Sequence, residues 1–350
     1  MGSGTGAAGL SLLLALWSLT GVLAEVPAGA VADRWSRRGA LAAGALGRGA
    51  AFAVWTLAPV PTGFAAGFVV WGLAGALSSG SLETLAYDLL RERGRTDAYA
   101  GLLGRVTAAR LGAALPAAGL ATLLLPHGYA VVGWASVATS VAAGLLALRL
   151  PEAARGVADE GEEPGLGELL RSGVREALLD VRVRGPLVAV AALTGIDALE
   201  EYLPVLASSW GVPTSLVPLA LAGVPLLAAA VAGAAGRLRG AGRRALAGVA
   251  LAACCGLLAA GALGRPASLV LLATAYAAYR GVLVLAEVRL QEAASGRART
   301  TVTSVAALLS ELPAFGVYAA WAVHGLAAVA ALLAVVALAL PALLRRRGGS

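Results

Sequence analysis

The chain has 350 residues, of which 59% are hydrophobic and 13% are charged, and its mean hydropathy is +0.81. A soluble protein of this length cannot bury so much apolar surface, so the composition excludes a soluble domain and indicates an integral membrane protein. The net charge of +7 comes from arginine, because the sequence contains no lysine. These arginines lie in short connections between apolar runs, where they orient a membrane protein, and we expect no binding of nucleic acid.

Eleven apolar runs are long enough to cross a bilayer, which takes about 20 residues per helix. We therefore expect an all-α polytopic protein in which each run forms one span. The predicted spans cover residues 7–32, 39–57, 63–90, 98–125, 129–150, 185–208, 213–236, 245–263, 267–291, 300–323 and 326–344.

The connections between these runs alternate in charge. One set of connections is rich in arginine, and the other set contains a single arginine, Arg265. Because arginine-rich connections remain in the cytoplasm, we predict an extracellular N-terminus and a cytoplasmic C-terminus. The abundance of alanine, glycine and arginine indicates a GC-rich bacterial genome, and hence a multi-pass protein of a bacterial cell membrane. The arginine-rich set holds Arg34 to Arg38, Arg91 to Arg95, the connection 151–184, Arg237 to Arg244, Arg297 to Arg299 and Arg345 to Arg347.

The connection 151–184 is the only long one. It begins with an acidic patch at residues 159–163, and from residue 166 its apolar side chains recur at helical spacing against arginines. This pattern predicts an amphipathic helix on the cytoplasmic surface. The chain would then consist of a five-span bundle (1–150), this linker (151–184) and a six-span bundle (185–350).

The two predicted bundles resemble each other in sequence. Residues 81–91 and 282–292 each end an apolar helix with acidic and basic side chains, and each precedes a glycine-containing loop and a new helix. Such repeats indicate two halves related by an axis along the membrane normal. Sequences rich in alanine and glycine also produce this similarity by chance.

The connection after the first span carries a charged motif. Its glycine, its aspartate four residues later, the adjacent arginine and two further arginines resemble the loop motif of the major facilitator superfamily, with Ser36 in place of the family's second glycine. Residues 25–27 and 79–88 resemble one bacterial branch of that family, the multidrug and tetracycline-type exporters. The motif residues are Gly29, Asp33, Arg34, Arg37 and Arg38.

The resemblance implies a two-bundle fold and secondary active transport of a small molecule by alternating access. It further implies efflux of an amphipathic compound by antiport with an ion such as the proton, a monomer in contact with membrane lipid, and no cofactor. In the family, the loop aspartate, here Asp33, and nearby arginines lock helices together on the cytoplasmic side in one state of the transport cycle.

The position of the motif differs from that of the family. In the family it lies between the second and third of twelve spans, and both termini are cytoplasmic. Here it lies between the first and second, and the N-terminus is predicted to be outside. Both differences predict that the canonical first helix is missing, through a misassigned start codon or in a genuine eleven-helix protein. A transport-incompetent fragment is a further alternative.

Ionisable side chains inside the spans are candidates for function, because a charge in hydrocarbon is costly unless it is paired or hydrated. Asp197 and Glu201 are four residues apart on one α-helical face, and Glu200 is three from Asp197. At about 1.5 Å per residue, Asp197 lies roughly 16–20 Å from the cytoplasmic helix end, near the midplane of a ~30 Å core. The candidates for the cavity or for ion coupling are Asp197, Glu200, Glu201, Arg280, Glu311, Glu83 and Arg110.

A structural role is the alternative for several of these charges. Glu25, Arg48, Glu83 and Arg105 lie at similar depth in the first bundle and could form buried ion pairs with one another. The candidates for structural charge pairs are Glu25, Arg48, Arg105, Asp88 and Glu287, and Glu83 lies at the same depth.

Other classes of protein lack their signatures in this sequence. There is no phosphate-binding loop of ATP-driven pumps. His127 and His324 are isolated from other metal-ligating side chains, so we expect no metal site. A membrane enzyme, such as a lipid-modifying transferase, would need catalytic polar residues clustered at the membrane surface, and we expect no enzyme.

Overall fold

The computed structural model of the protein describes residues 6–34, 36–152, 180–238, 240–294 and 299–345. All regular elements in these ranges are helical. The chain divides into two compact units, Met1–Gly161 and Glu162–Ser350. The amphipathic helix predicted from residue 166 onward lies outside the described residues.

Unit 1 is built around α2, which packs against α3 and α6, while α1 packs against α3. Glycine permits the close approach of α2 and α3, because a Cβ at Gly44 would lie 2.8 Å from the carbonyl oxygen of Ala74. A break at Gly80, whose φ of +63° favours glycine, separates α3 from α4. The helices are α1 (Ala7–Arg34), α2 (Arg37–Leu57), α3 (Pro61–Ser78), α4 (Ser81–Glu92), α5 (Tyr99–Leu124) and α6 (Tyr129–Ala147).

Helix α5 packs differently from the other helices of unit 1. Its main contacts are with its sequence neighbours, α4 and α6, and with the turns between them. None of its residues is buried. A Cβ at Gly104 or Gly112 would meet no atom within 4 Å. The long faces of α5 are therefore without a helical neighbour in unit 1.

Unit 2 is organised around α12, which packs against α7 and α10, while α11 contacts α7, α9 and α10. Leu187, Leu193 and Leu333 are fully buried in its core. A Cβ at Gly195 would lie 2.7 Å from the carbonyl oxygen of Ser310, so glycine allows the close approach of α7 and α12. The helices are α7 (Val181–Ile196), α8 (Leu203–Ser209), α9 (Val217–Ala234), α10 (Arg243–Leu263), α11 (Ser268–Ala293) and α12 (Arg299–Leu343).

Nine helical stretches within the described residues are long and apolar enough to cross a membrane, whereas the sequence predicts eleven. The difference arises at two places. The predicted span 185–208 is broken into α7 and α8, and the last two predicted spans are the two segments of α12, which together make one of the nine stretches. Inside α12, His324 and Gly325 have non-helical backbone angles and separate two helical segments. The count of eleven and the extracellular N-terminus stay predictions.

The break between α7 and α8 is a 3₁₀ turn over Asp197–Tyr202. Pro204 lies in the first turn of α8, and its ring would clash in a continuous α-helix with the carbonyl group of Glu200, four residues earlier. The local sequence thus favours a change of winding at the charged part of this span.

Candidate functional site

A polar cluster in unit 2 joins the 3₁₀ turn to α11. The carboxylate of Asp197 forms an ion pair and hydrogen bond with the guanidinium of Arg280. Their side chains are 25% and 34% exposed, respectively. Because isolated charges are costly within a span, each group stabilises the charged form of the other.

Tyr276 extends this cluster to a second carboxyl group. Its hydroxyl oxygen lies 2.8 Å from Oδ1 of Asp197 and 3.2 Å from Oε2 of Glu200. Tyr276 precedes Arg280 by four residues on α11, so both side chains project from one face of that helix. The hydroxyl group therefore bridges two carboxyl groups on adjacent turns of the opposing segment.

Tyr279 anchors the cluster to the backbone of α7. Its hydroxyl group is fully buried and donates a hydrogen bond to the carbonyl oxygen of Leu193. The same hydroxyl oxygen lies 3.3 Å from Oδ1 of Asp197. Gly281 allows α9 to approach α11 next to Arg280, since a Cβ there would lie 2.9 Å from Cγ1 of Val231. The guanidinium is thus held on a tightly packed helix.

The 3₁₀ winding changes which carboxyl group lies beside Asp197. Residues three apart are eclipsed in a 3₁₀-helix, whereas the sequence prediction of a shared face for Asp197 and Glu201 assumes α-helical spacing. In the structure, Glu200 shares Tyr276 with Asp197, and Glu201 lies within electrostatic reach of Tyr318 on α12, as does Glu311. The pairing of Asp197 with Glu201 on one face is therefore corrected to Asp197 with Glu200.

An open cleft of about 700 Å³ lies beside the cluster, between α7, α11 and α12. Thr194, one turn before Asp197, lines it together with Glu287 and Gln291 of α11. Glu287 is exposed and lies within electrostatic reach of Arg280. This side chain, a candidate for a structural pair in the sequence, therefore lines a cleft. The cleft extends toward the helix ends that are predicted to be cytoplasmic.

On the opposite side of the cluster, aromatic rings close the unit. The ring of Tyr202, the last residue of the 3₁₀ turn, stacks on Trp321 with centroids 4.1 Å apart. Both side chains are buried. Within unit 2, the polar cluster thus lies between an open cleft and an apolar aromatic layer.

The charged loop motif lies in unit 1, at the junction of α1 and α2. Arg37 forms an ion pair with Asp88 of α4. Arg38 lies 3.6 Å from the carboxylate of Glu152 and donates a hydrogen bond of 3.3 Å to the carbonyl oxygen of Leu150. Arg34 and Gly29 are exposed. The side chain of Asp33 lies outside the described residues.

Within the described residues, no ion pair forms among the four charges predicted to pair at similar depth in the first bundle, which are Glu25, Arg48, Glu83 and Arg105. Asp88, a further candidate, pairs with Arg37. Arg48 donates a hydrogen bond of 2.8 Å to the hydroxyl group of Ser78 instead. Arg105 contacts the carbonyl oxygen of Gly101 on its own helix, at 3.3 Å. The structure thus differs from the prediction of buried ion pairs, because these charged side chains, apart from Arg48, lie on exposed faces of their helices. The exposed set is Glu25, Glu83, Arg105 and Arg110.

The sequence alone does not single out two side chains of the polar cluster. Tyr276 and Tyr279 complete the cluster, and with Arg280 they follow the spacing i, i+3 and i+4 on α11. A polar stripe at this helical spacing inside an apolar run is the signal that could have identified them. Within the described residues, no group of three or more histidine, cysteine, aspartate or glutamate side chains could hold a metal ion.

The long apolar helices of the described residues are those of a polytopic helical membrane protein. The family profile of the Major Facilitator Superfamily matches residues 2–317. This chain therefore belongs to the Major Facilitator Superfamily, and it is a secondary transporter rather than an enzyme.

Solved structures share this fold at low sequence identity. The chain is similar to the nucleoside transporter NupG, with a TM-score of 0.69 and 14% identity over 97% of this chain and 89% of that one. A D-xylose–proton symporter has a TM-score of 0.69 and 15% identity, with coverages of 96% and 88%. A bacterial homolog of the human lysosomal transporter Spinster, inward-facing and unoccupied, has a TM-score of 0.67 and 16% identity, with coverages of 97% and 87%. A search of curated proteins found no match.

Proposed function

We propose that this protein is a proton-coupled transporter of a small polar molecule, and that the cluster around Asp197 and Arg280 is its binding and coupling site. The observation that carries the proposal is an ion pair within a span, bridged by a tyrosine hydroxyl to a second carboxyl group. Carboxylates paired inside the membrane are typical of substrate sites and proton relays.

The chemistry of the cluster favours a polar substrate. A guanidinium, two carboxyl groups and a tyrosine hydroxyl offer donors and acceptors to hydroxyl or amide groups of a solute. Two structurally similar proteins are named for nucleosides and for D-xylose with protons, which also favours a polar substrate. The resemblance to exporters favours efflux of an amphipathic compound instead, and this prediction has no support from the similar structures.

The positions of the arginines favour a particular membrane and orientation. We propose the plasma membrane of a bacterium, with the arginine-rich connections in the cytoplasm. The cleft beside Glu287 then opens toward the cytoplasm, so solute reaches the cluster from that side.

We further propose that α5 is covered by one more spanning helix, as the predicted missing helix requires. The support is the comparison of the two units. If residues 81–91 correspond to 282–292, α5 corresponds to the first part of α12, and that part packs tightly on α7. Helix α5 has no such neighbour in unit 1, and it exposes Arg105 and Arg110. A helix that carries a carboxylate would complement these charges.

The mass of the protein purified from its native membrane tests this helix. A mass exceeding that of 350 residues by about 20 apolar residues would support it. A mass equal to that of the 350 residues, in a transport-active sample without a second polypeptide, would contradict it.

Transport in proteoliposomes tests the proposed function. We expect an imposed proton gradient to drive accumulation of a labelled nucleoside or sugar, and the variant Asp197→Asn to abolish it. The variant Cys255→Ser, which changes an exposed side chain away from the cluster, serves as the control. Gradient-driven movement of amphipathic dyes, without movement of any polar solute, would contradict the proposed substrate class.

A further inference from the structure

The hydroxyl group of Tyr276 faces two carboxyl groups but has a single proton to donate. Its oxygen lies 2.8 Å from Oδ1 of Asp197 and 3.2 Å from Oε2 of Glu200. A hydroxyl group donates one hydrogen bond and accepts others through its lone pairs. The shorter distance assigns the tyrosine proton to Asp197, so the contact with Glu200 needs a proton from another source.

Among the described residues, no neighbouring group supplies that proton. Tyr279 donates its own proton to the carbonyl oxygen of Leu193, which can only accept. Arg280 donates to the other oxygen of Asp197. If Glu200 were ionised, its oxygen would face a lone pair of the Tyr276 oxygen. If Glu200 is a neutral acid, its O–H group donates to that oxygen, and every contact is satisfied.

The charge balance of the cluster also favours a neutral Glu200. Arg280 contributes one positive charge and is already paired with Asp197. A second carboxylate beside this pair would have no cationic partner of its own among the described residues. With Glu200 neutral, the group formed by Arg280, Asp197 and Glu200 has no net charge.

The two carboxyl groups differ in exposure, and the more exposed one is the group that a proton from solvent reaches first. Glu200 is exposed, whereas Asp197 is half-buried. Other ionisable groups also face this region, on the turn and on the helices packed against it. They are Glu201 on the turn, Tyr276, Tyr279, Arg280 and Glu287 on α11, and Tyr318 and Glu311 on α12.

We propose that Glu200 carries the transported proton as a neutral carboxylic acid and passes it through the hydroxyl group of Tyr276 to Asp197. The Glu200 O–H bond breaks as a new Tyr276 O–H bond forms, and the original tyrosine proton moves to Asp197. One proton is thereby transferred, Glu200 becomes the carboxylate, and Asp197 becomes the neutral acid. Arg280 then loses its charged partner and is free to bind an electron-rich group of the substrate. This inference rests on the proposed transport function.

Infrared spectroscopy of the full chain in lipid vesicles tests the protonation of Glu200 without any substrate. We expect the difference between wild type and Glu200→Gln at neutral pH to contain the carbonyl band of one protonated carboxyl group. The matched control Glu201→Gln should leave that band in place. Loss of carboxylate bands in Glu200→Gln, with no loss of the carbonyl band, would overturn the proposal.

The variant Tyr276→Phe provides a second test, which also applies if Glu200→Gln does not reach the membrane. It removes the acceptor of the Glu200 proton, so the same carbonyl band should shift to higher frequency. An unshifted band would overturn the relay. Both infrared measurements omit the substrate, so their outcome does not depend on transport. A failed transport assay would therefore contradict the proposed function, while the infrared bands would still decide the protonation of Glu200.

Discussion

The ion pair between Asp197 and Arg280 should be energetically coupled, and a double-mutant cycle can measure this coupling. Two unit charges about 4 Å apart attract each other by about 4 kcal/mol at an effective dielectric constant of 20. The side chains are 25% and 34% exposed, so water screens part of this attraction. We expect a coupling free energy of about 2 kcal/mol, which is about 30-fold in the unfolding equilibrium.

The cycle compares the wild type with Asp197→Asn, Arg280→Gln and the double variant. Each single variant leaves an unpaired charge within a span and should lower the free energy of unfolding more than its own lost contacts require. The double variant has no unpaired charge, so its loss in the free energy of unfolding should be smaller than the sum of the losses in the two single variants. The measurement is equilibrium unfolding in mixed detergent micelles.

The chain contains a matched control for this cycle. Arg95 and Asp97 approach within 3.9 Å, but their side chains are 67% and 79% exposed. Exposed pairs contribute little to stability, so the cycle on this pair should show no measurable coupling. A coupling below about 0.5 kcal/mol for Asp197 and Arg280, equal to that of the control, would refute the reasoning.

Three further predictions concern other parts of the molecule. Asp33→Asn should abolish transport without loss of membrane expression, and wild-type transport rates in this variant would contradict the role of the loop motif. Arg37→Asp should impair transport and the double variant with Asp88→Arg should restore part of it, because the ion pair joins α2 to α4; no rescue in the same assay would argue against this pair. Gly195→Leu should destabilise the protein by about 1–3 kcal/mol, because the added atoms enter the contact of α7 with α12. Gly223→Leu is its control in the unfolding assay, since a Cβ there has no neighbour within 4 Å, and equal losses would contradict the packing argument.

The number of spans illustrates where sequence reasoning succeeds and where it stops. Apolar runs of sufficient length predict membrane helices directly, because the hydrocarbon core sets their length. The sequence places the boundary between its last two spans at His324 and Gly325, and the backbone there is non-helical. The break before Pro204 is a local event that hydropathy does not detect. That break divides the predicted span 185–208 into two shorter helices without any change in apolar character, so this span is not among the nine long stretches of the described ranges.

The candidate site shows a similar division. The sequence singles out Asp197 and Arg280, because charges are rare in spans. It does not reveal that they meet, since their separation along the chain is large and the contact depends on how α7 packs against α11. It also omits Tyr276, because a tyrosine in an apolar run carries no charge to draw attention.

From the amino-acid sequence alone it follows that this protein crosses a membrane, which connections carry the orienting arginines, and which superfamily its loop motif resembles. Those properties depend on composition and on local spacing. The folded chain is needed to see that Glu200, rather than Glu201, shares Tyr276 with Asp197. The reason is that a 3₁₀ turn aligns residues three apart where an α-helix aligns residues four apart, and the partner on α11 must be present for the alignment to matter.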